Sequence, residues 1–236
     1  LTNGIVYIVN VQDMNFYDTV SGNDTDELFG TSVESCDMNG DGVSEVFVGA
    51  PNRTSAPGEV YVLSPDPGSG DFGDNMDLFS VIEGDPSETR FGRKIACGLF
   101  DTDSYEDVAV ASDQKIRIYL GGETPNSVAD YVLDPIVDGS VSDFRDIEIL
   151  EDPSGTGPGT IAVGCPAGNN GKVLLYKCPV SGPITITQTI NKPQTLNRKE
   201  FGWSISRICD YDLDDNPEFA VGAPGDSTSG GSIVIY

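Results

Sequence analysis

The sequence predicts an all-β protein: a β-propeller of four-stranded antiparallel blades, with incomplete blades at both chain ends. Three observations predict it. Phenylalanine recurs at positions 29, 91, 144 and 201, spacings of 62, 53 and 57 residues, room for four short strands and their turns. Between these positions lie short runs of alternating β-branched and aromatic residues bounded by Gly, Pro, Asn and Asp. No stretch carries convincing helical periodicity, and 28 glycines and 15 prolines among 236 residues suit a fold rich in turns.

The elements follow in order. Residues 4–10 and 15–20 read as the third and fourth strands of a unit that has no first or second strand before them. The unit opening at Phe29 predicts strands at 31–36, 45–49, 59–63 and 78–83. The next predicts 94–97, 107–111, 115–120 and 131–137, and the third 146–150, 160–164, 172–177 and 184–190. The last predicts 204–208, 218–222 and 232–236 and lacks an outer strand. The expected organisation is one repeat domain, 1–236, with a trailing half-blade at 1–28, blades at 29–90, 91–143 and 144–200, and an incomplete blade at 201–236. A blade buries its faces only against neighbours, so the chain reads either as part of a longer propeller or as one whose open ends are completed by another segment or another copy.

Composition narrows the function classes. The net charge is −25, from 38 acids against 13 bases. Setting aside the ten carboxylates assigned below to metal loops still leaves −15, which argues against nucleic acid and anionic membrane surfaces. No apolar run approaches the roughly 20 residues of a spanning helix. The opening Leu1-Thr2-Asn3, with neither initiator Met nor signal peptide, reads as a mature or excised piece. Histidine is absent, which removes His-based triads, HExxH zinc sites and His general bases. The five cysteines follow neither a zinc spacing nor CxxC. Cys36 and Cys209 occupy equivalent repeat positions and read as small buried residues of an inner strand, ahead of a disulfide between blades. Cys165 and Cys178 could pair in an oxidising compartment. Asn23-Asp24-Thr25 and Asn52-Arg53-Thr54 are glycosylation sequons in polar, turn-like stretches.

The chemistry sits in acid-rich loops between the first and second strands. In the first loop Asp37, Asn39 and Asp41 occupy positions 1, 3 and 5, with Gly42 at 6, the Val43 carbonyl at 7 and Glu45 at 9. Alternate oxygens on a tightly turning loop converge on one point, and hard oxygen donors suit Ca²⁺. An EF-hand would need Glu at position 12, where Val48 stands inside a strand. The second loop offers Asp101, Asp103, the Tyr105 carbonyl and Asp107, with Leu99 at position 1. The fourth offers Asp210, Asp212, Asp214, the Asn216 carbonyl and Glu218, with Asp215 in place of the glycine. The third, around Asp152, keeps one carboxylate and reads as a Gly/Pro turn holding itself. Two Ca²⁺ sites are thus expected, and a third, weaker one in the second loop. Asp85-Pro86-Ser87-Glu88-Thr89, superficially a DxSxT metal-adhesion motif, reads as a turn. Trp203, the one tryptophan, reads as packed between blades.

Phe29-Gly30, Phe91-Gly92 and Phe201-Gly202, with Gly49-Ala50-Pro51 and Gly222-Ala223-Pro224, resemble the FG-GAP repeats of integrin alpha-subunit propellers. Gly164-Cys165-Pro166 is a near match, while Phe144-Arg145 and Ala111-Ser112-Asp113 depart from the pattern. The resemblance implies a non-enzymatic, calcium-stabilised extracellular or cell-surface module for binding or adhesion. It places ions on one face and a protein or glycan ligand on the other. The alternative is a structural subunit of an extracellular glycoprotein filament or coat, its partners being further copies of itself. The Phe of each FG step is expected as a core anchor and its Gly as a close-packing position.

Overall fold

A computed structural model describes residues 4–9, 16–23, 27–52, 57–65, 76–125, 127–152, 157–167, 171–179, 181–194, 200–208, 218–225 and 230–236. The chain forms successive antiparallel sheets, each a meander whose strands pair in sequence order. First comes a two-stranded sheet, β1 (Ile5–Val9) with β2 (Phe16–Ser21). Three four-stranded sheets follow. The first is β3 (Ser32–Cys36), β4 (Glu45–Ala50), β5 (Glu59–Pro65) and β6 (Met76–Glu83). The second is β7 (Lys94–Gly98), β8 (Asp107–Ala111), β9 (Ile116–Tyr119) and β10 (Tyr131–Leu133). The third is β11 (Asp146–Leu150), β12 (Thr160–Cys165), β13 (Lys172–Lys177) and β14 (Ile186–Asn191). A three-stranded sheet of β15 (Ser204–Arg207), β16 (Phe219–Ala223) and β17 (Ser232–Ile235) closes the order. This all-β arrangement of four-stranded antiparallel sheets is that of propeller blades.

One expected strand is cut short. Residues 131–137 were expected extended, but β10 stops at Leu133 and a single helical turn, α1 (Pro135–Asp138), follows. Asp134 caps it by accepting from the Val137 N–H at 3.0 Å, and Pro135 enters the first turn, where its missing N–H costs nothing.

The core lies between sheets, as sheets hydrophobic on both faces require. Four clusters fill the successive gaps, and each contains one of the repeating phenylalanines: Phe29, Phe91, Phe144 and Phe201, all buried. The Phe is therefore the core anchor expected. Its glycine works at a second level. The Gly30, Gly92 and Gly202 N–H groups donate to the Gly49, Ala111 and Gly222 carbonyls of their own sheets. All three glycines have positive φ, +88°, +87° and +93°. A Cβ on Gly92 would lie 2.6 Å from the Glu59 carbonyl oxygen and 3.3 Å from the Gly49 Cα of the preceding sheet. Gly202 meets Gly164 in the same manner. The two motif glycines are thus partners across a sheet boundary.

That pairing explains the departures. Ala111 and Arg145 stand where the second and third sheets would have carried the partner glycines. At this boundary Arg93 takes over: its guanidinium donates to the Phe144, Arg145 and Ser112 carbonyls at 2.8, 3.1 and 2.8 Å and lies 4.6 Å above the Phe144 ring centre. The innermost strands β3, β7, β11 and β15 run side by side, linked by Ser32 Oγ to the Gly92 carbonyl (2.7 Å), Lys94 to Asp146 (3.0 Å) and the Ile205 N–H to Asp146 (2.7 Å).

Candidate metal centre

The acid loops join the first and second strands of each sheet, at the end opposite the FG and GAP elements. In the first loop, residues 37–44, the turn is made by Gly40 and Gly42, both at positive φ (+72° and +87°). Side-chain oxygens then hold the backbone. Asn39 Oδ1 accepts from the Asp41 N–H at 2.8 Å, and Asp41 Oδ1 from the Val43 N–H at 2.8 Å. The Asp37 carboxylate accepts from the Asp41 and Gly42 N–H groups at 3.1 and 3.0 Å. Glu45, buried at the entry to β4, accepts from the Met38 N–H at 3.3 Å. Burial pushes the Glu45 carboxyl up; the Met38 N–H opposes this, and the Asp41 and Asp37 charges reinforce it.

The second loop repeats the rungs at positions 3 and 5 but not those of Asp37, because Leu99 stands at position 1. Asp101 Oδ1 accepts from the Asp103 N–H at 2.8 Å and Asp103 Oδ1 from the Tyr105 N–H at 2.9 Å. Asp107, fully buried at the start of β8 as Glu45 is at the start of β4, accepts from the Phe100, Asp101 and Gly121 N–H groups at 2.7, 3.1 and 2.8 Å. Burial outweighs these three donors and pushes its carboxyl up to about 6. Asp101 is raised too, by burial first and the Asp103 charge after it. A small cleft beside this loop, about 30 Å³, is lined by Asp101, Thr102, Asp103, Glu151 and Asp152 with Leu99 and Gly157.

In the third loop Asp152 accepts from the Gly157 N–H at 3.0 Å, a turn closing on itself. Of the fourth loop, Asp210, Asp212, Asp214 and Asn216 lie outside the described residues; Glu218 stands just before β16, where its carbonyl accepts from the Ile208 N–H at 2.9 Å. Asp85-Pro86-Ser87-Glu88-Thr89 is a turn, with Asp85 Oδ1 accepting from the Ser87 N–H and hydroxyl at 2.9 and 2.6 Å.

The donor chemistry of the first loop fits a hard divalent cation. All of its side-chain donors are oxygens, and the positive end of an amide already sits among them: Asn39 Nδ2 donates to Asp41 Oδ2 at 3.2 Å and to Glu45 Oε1 at 2.9 Å. The Asp37, Asp41 and Glu45 carboxylates themselves are not drawn within mutual coordinating reach. Among the described residues, such a trio of acidic or cysteine ligand atoms occurs at Cys36, Cys97 and Glu106, where two members are joined to each other.

That junction corrects the reading of Cys36. It is buried as expected, but it forms a disulfide with Cys97, Cα to Cα 6.0 Å, tying β3 to β7 across the sheet boundary. The signal was present: the two cysteines are 61 residues apart, one short of the local repeat of 62, and both fall in innermost strands. Cys165 and Cys178 do not pair and remain buried thiols, pushed up by burial to about 12 and about 11. Cys209 lies outside the described residues.

At the opposite end of the sheets, Arg145 lies 4.5 Å above the Trp203 ring, and Trp203 is 38% exposed rather than enclosed between sheets. Arg90 clamps Asp113 in a two-pronged pair at 2.9 and 2.6 Å nearby. Asn23 and Asn52 are exposed at this end, with Asn23 donating to the Tyr61 hydroxyl at 3.3 Å.

A family model described as the FG-GAP repeat matches residues 29–63. The chain is distantly similar to integrin alpha subunits over most of its length. It is 31% identical to integrin alpha-4 of Xenopus laevis over 219 residues, 84% of this chain and 20% of the relative. Against integrin alpha-8 of Mus musculus the identity is 30% over 253 residues, 99% and 18% of the two chains. Integrin alpha-6 of Gallus gallus is 26% identical over 194 residues, 78% and 18%. The chain thus spans about a fifth of the length of these relatives. Among solved structures, a Bacillus licheniformis rhamnogalacturonan lyase PL11 superposes with a TM-score of 0.48 at 11% identity, covering 92% of this chain and 48% of the lyase.

Proposed function

We propose that this chain is a calcium-stabilised, non-enzymatic binding or adhesion module working outside the cell. The observation that carries the reading is the same oxygen ladder in two successive loops, each ending on a buried carboxylate at the entry to a second strand. Asp37, Asn39, Asp41, Glu45 and the Val43 carbonyl would hold one ion; Asp101, Asp103, Asp107 and the Tyr105 carbonyl would hold a second. An ion there supplies the positive charge that clustered carboxylates otherwise lack and pins the loop between its strands. The similarity to integrin alpha subunits and the disulfide between sheets support an extracellular setting. A protein or glycan ligand would meet the end bearing Arg145, Trp203 and the two sequon asparagines, away from the ions.

The exposed apolar residues Ile5 on β1 and Ile233 and Ile235 on β17 favour a second reading, in which further copies of the chain complete the end sheets. The experiment that tests the first reading substitutes Asp37 and Asp41 together by Ala and follows thermal unfolding with calcium and with chelator. At calcium 10–100 times the dissociation constant, each site stabilises by roughly 1.4–2.7 kcal/mol, a shift of roughly 3–11 °C for a chain of this size. The wild type should show the calcium-dependent shift and the double variant should lose one site's share. Equal shifts in both would remove the first site.

A further inference from the structure

The two described ion loops are not separate structures. Asp37, which opens the first, has its N–H held by Glu106 Oε2 at 2.6 Å, and its carbonyl accepts from the Glu106 N–H at 3.3 Å. The Met38 carbonyl accepts from the Gly122 N–H at 2.9 Å. Gly40 faces the Tyr105 ring so closely that a Cβ would lie 2.5 Å from Tyr105 Cε1. The Cys36–Cys97 disulfide brackets the same contact, with Cys36 Sγ 3.6 Å from the Asp107 carbonyl oxygen. Thus residues 105–107, which close the second site, are those that seat residues 37–40, which open the first. Glu106 and the Tyr105 ring are ligands of neither site and do the joining.

We propose that these two loops bind Ca²⁺ cooperatively, as one unit spanning the boundary between the first and second four-stranded sheets. The proposal rests on the ion reading above. An ion in the second loop fixes the Tyr105–Asp107 backbone. That in turn orders Asp37–Gly40, so an ion entering the first loop meets a lower ordering cost. Linkage makes the effect reciprocal: each ion raises the affinity of the other site by the same factor. Electrostatics opposes it. Each site has three carboxylates among its proposed ligands, so filling one leaves less negative charge to attract the next ion. Salt screens that opposition but leaves the contact network intact, so the coupling grows with ionic strength.

The test is a calcium titration followed by amide NMR, reading Gly42 for the first loop and Asp103 or Tyr105 for the second. Asp103→Ala, which touches no first-loop residue, should raise the calcium midpoint at Gly42 by about 5–20-fold, and Asp41→Ala should raise the second-loop midpoint by the same factor. Tyr105→Ala/Glu106→Ala keeps every proposed ligand, since the Tyr105 carbonyl remains. In that background Asp103→Ala should leave the Gly42 midpoint where it was, with far-UV circular dichroism confirming the folded state of each variant. If both loops of the wild type titrate but Asp103→Ala moves Gly42 by less than about twofold, the loops are independent and the proposal is overturned. If no amide of either loop responds to calcium, the ion reading fails first, and cooperativity falls with it.

Discussion

Removing the Cys36–Cys97 disulfide should be among the most damaging changes available in the described structure. The bond closes a loop of 61 residues. Chain-entropy reasoning for a loop of that length gives a constraint on the unfolded chain worth about 4 kcal/mol at 25 °C. Nothing else bridges β3 and β7 covalently; their contact otherwise depends on side-chain packing and on the Ser32 hydroxyl with the Gly92 carbonyl. The perturbation is Cys36→Ala/Cys97→Ala, chosen over serine because Cys36 is wholly buried and a hydroxyl there would need a partner. With a urea slope near 3 kcal/mol/M, fitting a chain this long, the midpoint should fall by roughly 1.5 M. The same fall should follow mild reduction of the wild type. In urea without reductant, Cys36 and Cys97 should stay silent to a thiol reagent and react once reductant is added. A midpoint shift below about 0.3 M, or five reactive thiols without reductant, would refute the reasoning.

Two further outcomes follow from the sheet boundaries and from the buried carboxylates. Gly92→Ala places a methyl against the Glu59 carbonyl and forces a side chain onto a backbone at φ +87°; it should cost about 2–4 kcal/mol in urea unfolding, whereas Arg145→Gly, at the boundary already relieved of the glycine pair, should cost about 1 kcal/mol or less. Asp107 is raised from 3.8 to about 6, so in calcium-stripped protein the native state holds its proton more tightly than the unfolded chain does. Stability from this group is present below about pH 4 and lost as pH rises through about 6, by up to about 3 kcal/mol. Melting temperature against pH should fall more steeply over this range in the wild type than in Asp107→Asn, and equal slopes in the two would contradict the burial argument.

Much of the architecture was legible because propeller units repeat what they need locally. Alternation along 45–49 and 107–111 reads directly as strands whose apolar faces are buried, and both appear within a residue of expectation as β4 and β8. The acid loops were legible for the same reason: positions 1, 3, 5 and 9 of a tight turn are set by neighbours in sequence, and the hydrogen-bond ladder through Asn39 and Asp41 involves no residue more than a few places away. The strand expected through Val137 failed at Asp134-Pro135, where a capping residue followed by proline starts a helical turn.

The sequence by itself determined the all-β class, the phenylalanine at the heart of each inter-sheet core and the spacing of acids along the loops. All of these depend on residue type and short-range spacing. Tertiary structure alone decided which repeat meets which. It joined Cys36 to Cys97, set Gly49 against Gly92, sent Arg93 to the carbonyls of Phe144 and Arg145, and seated Asp37 on Glu106. The physical reason is that periodicity reports how a strand presents its two faces, whereas contact between sheets depends on twist and stacking, which carry residues about 40 to 70 places apart into van der Waals range.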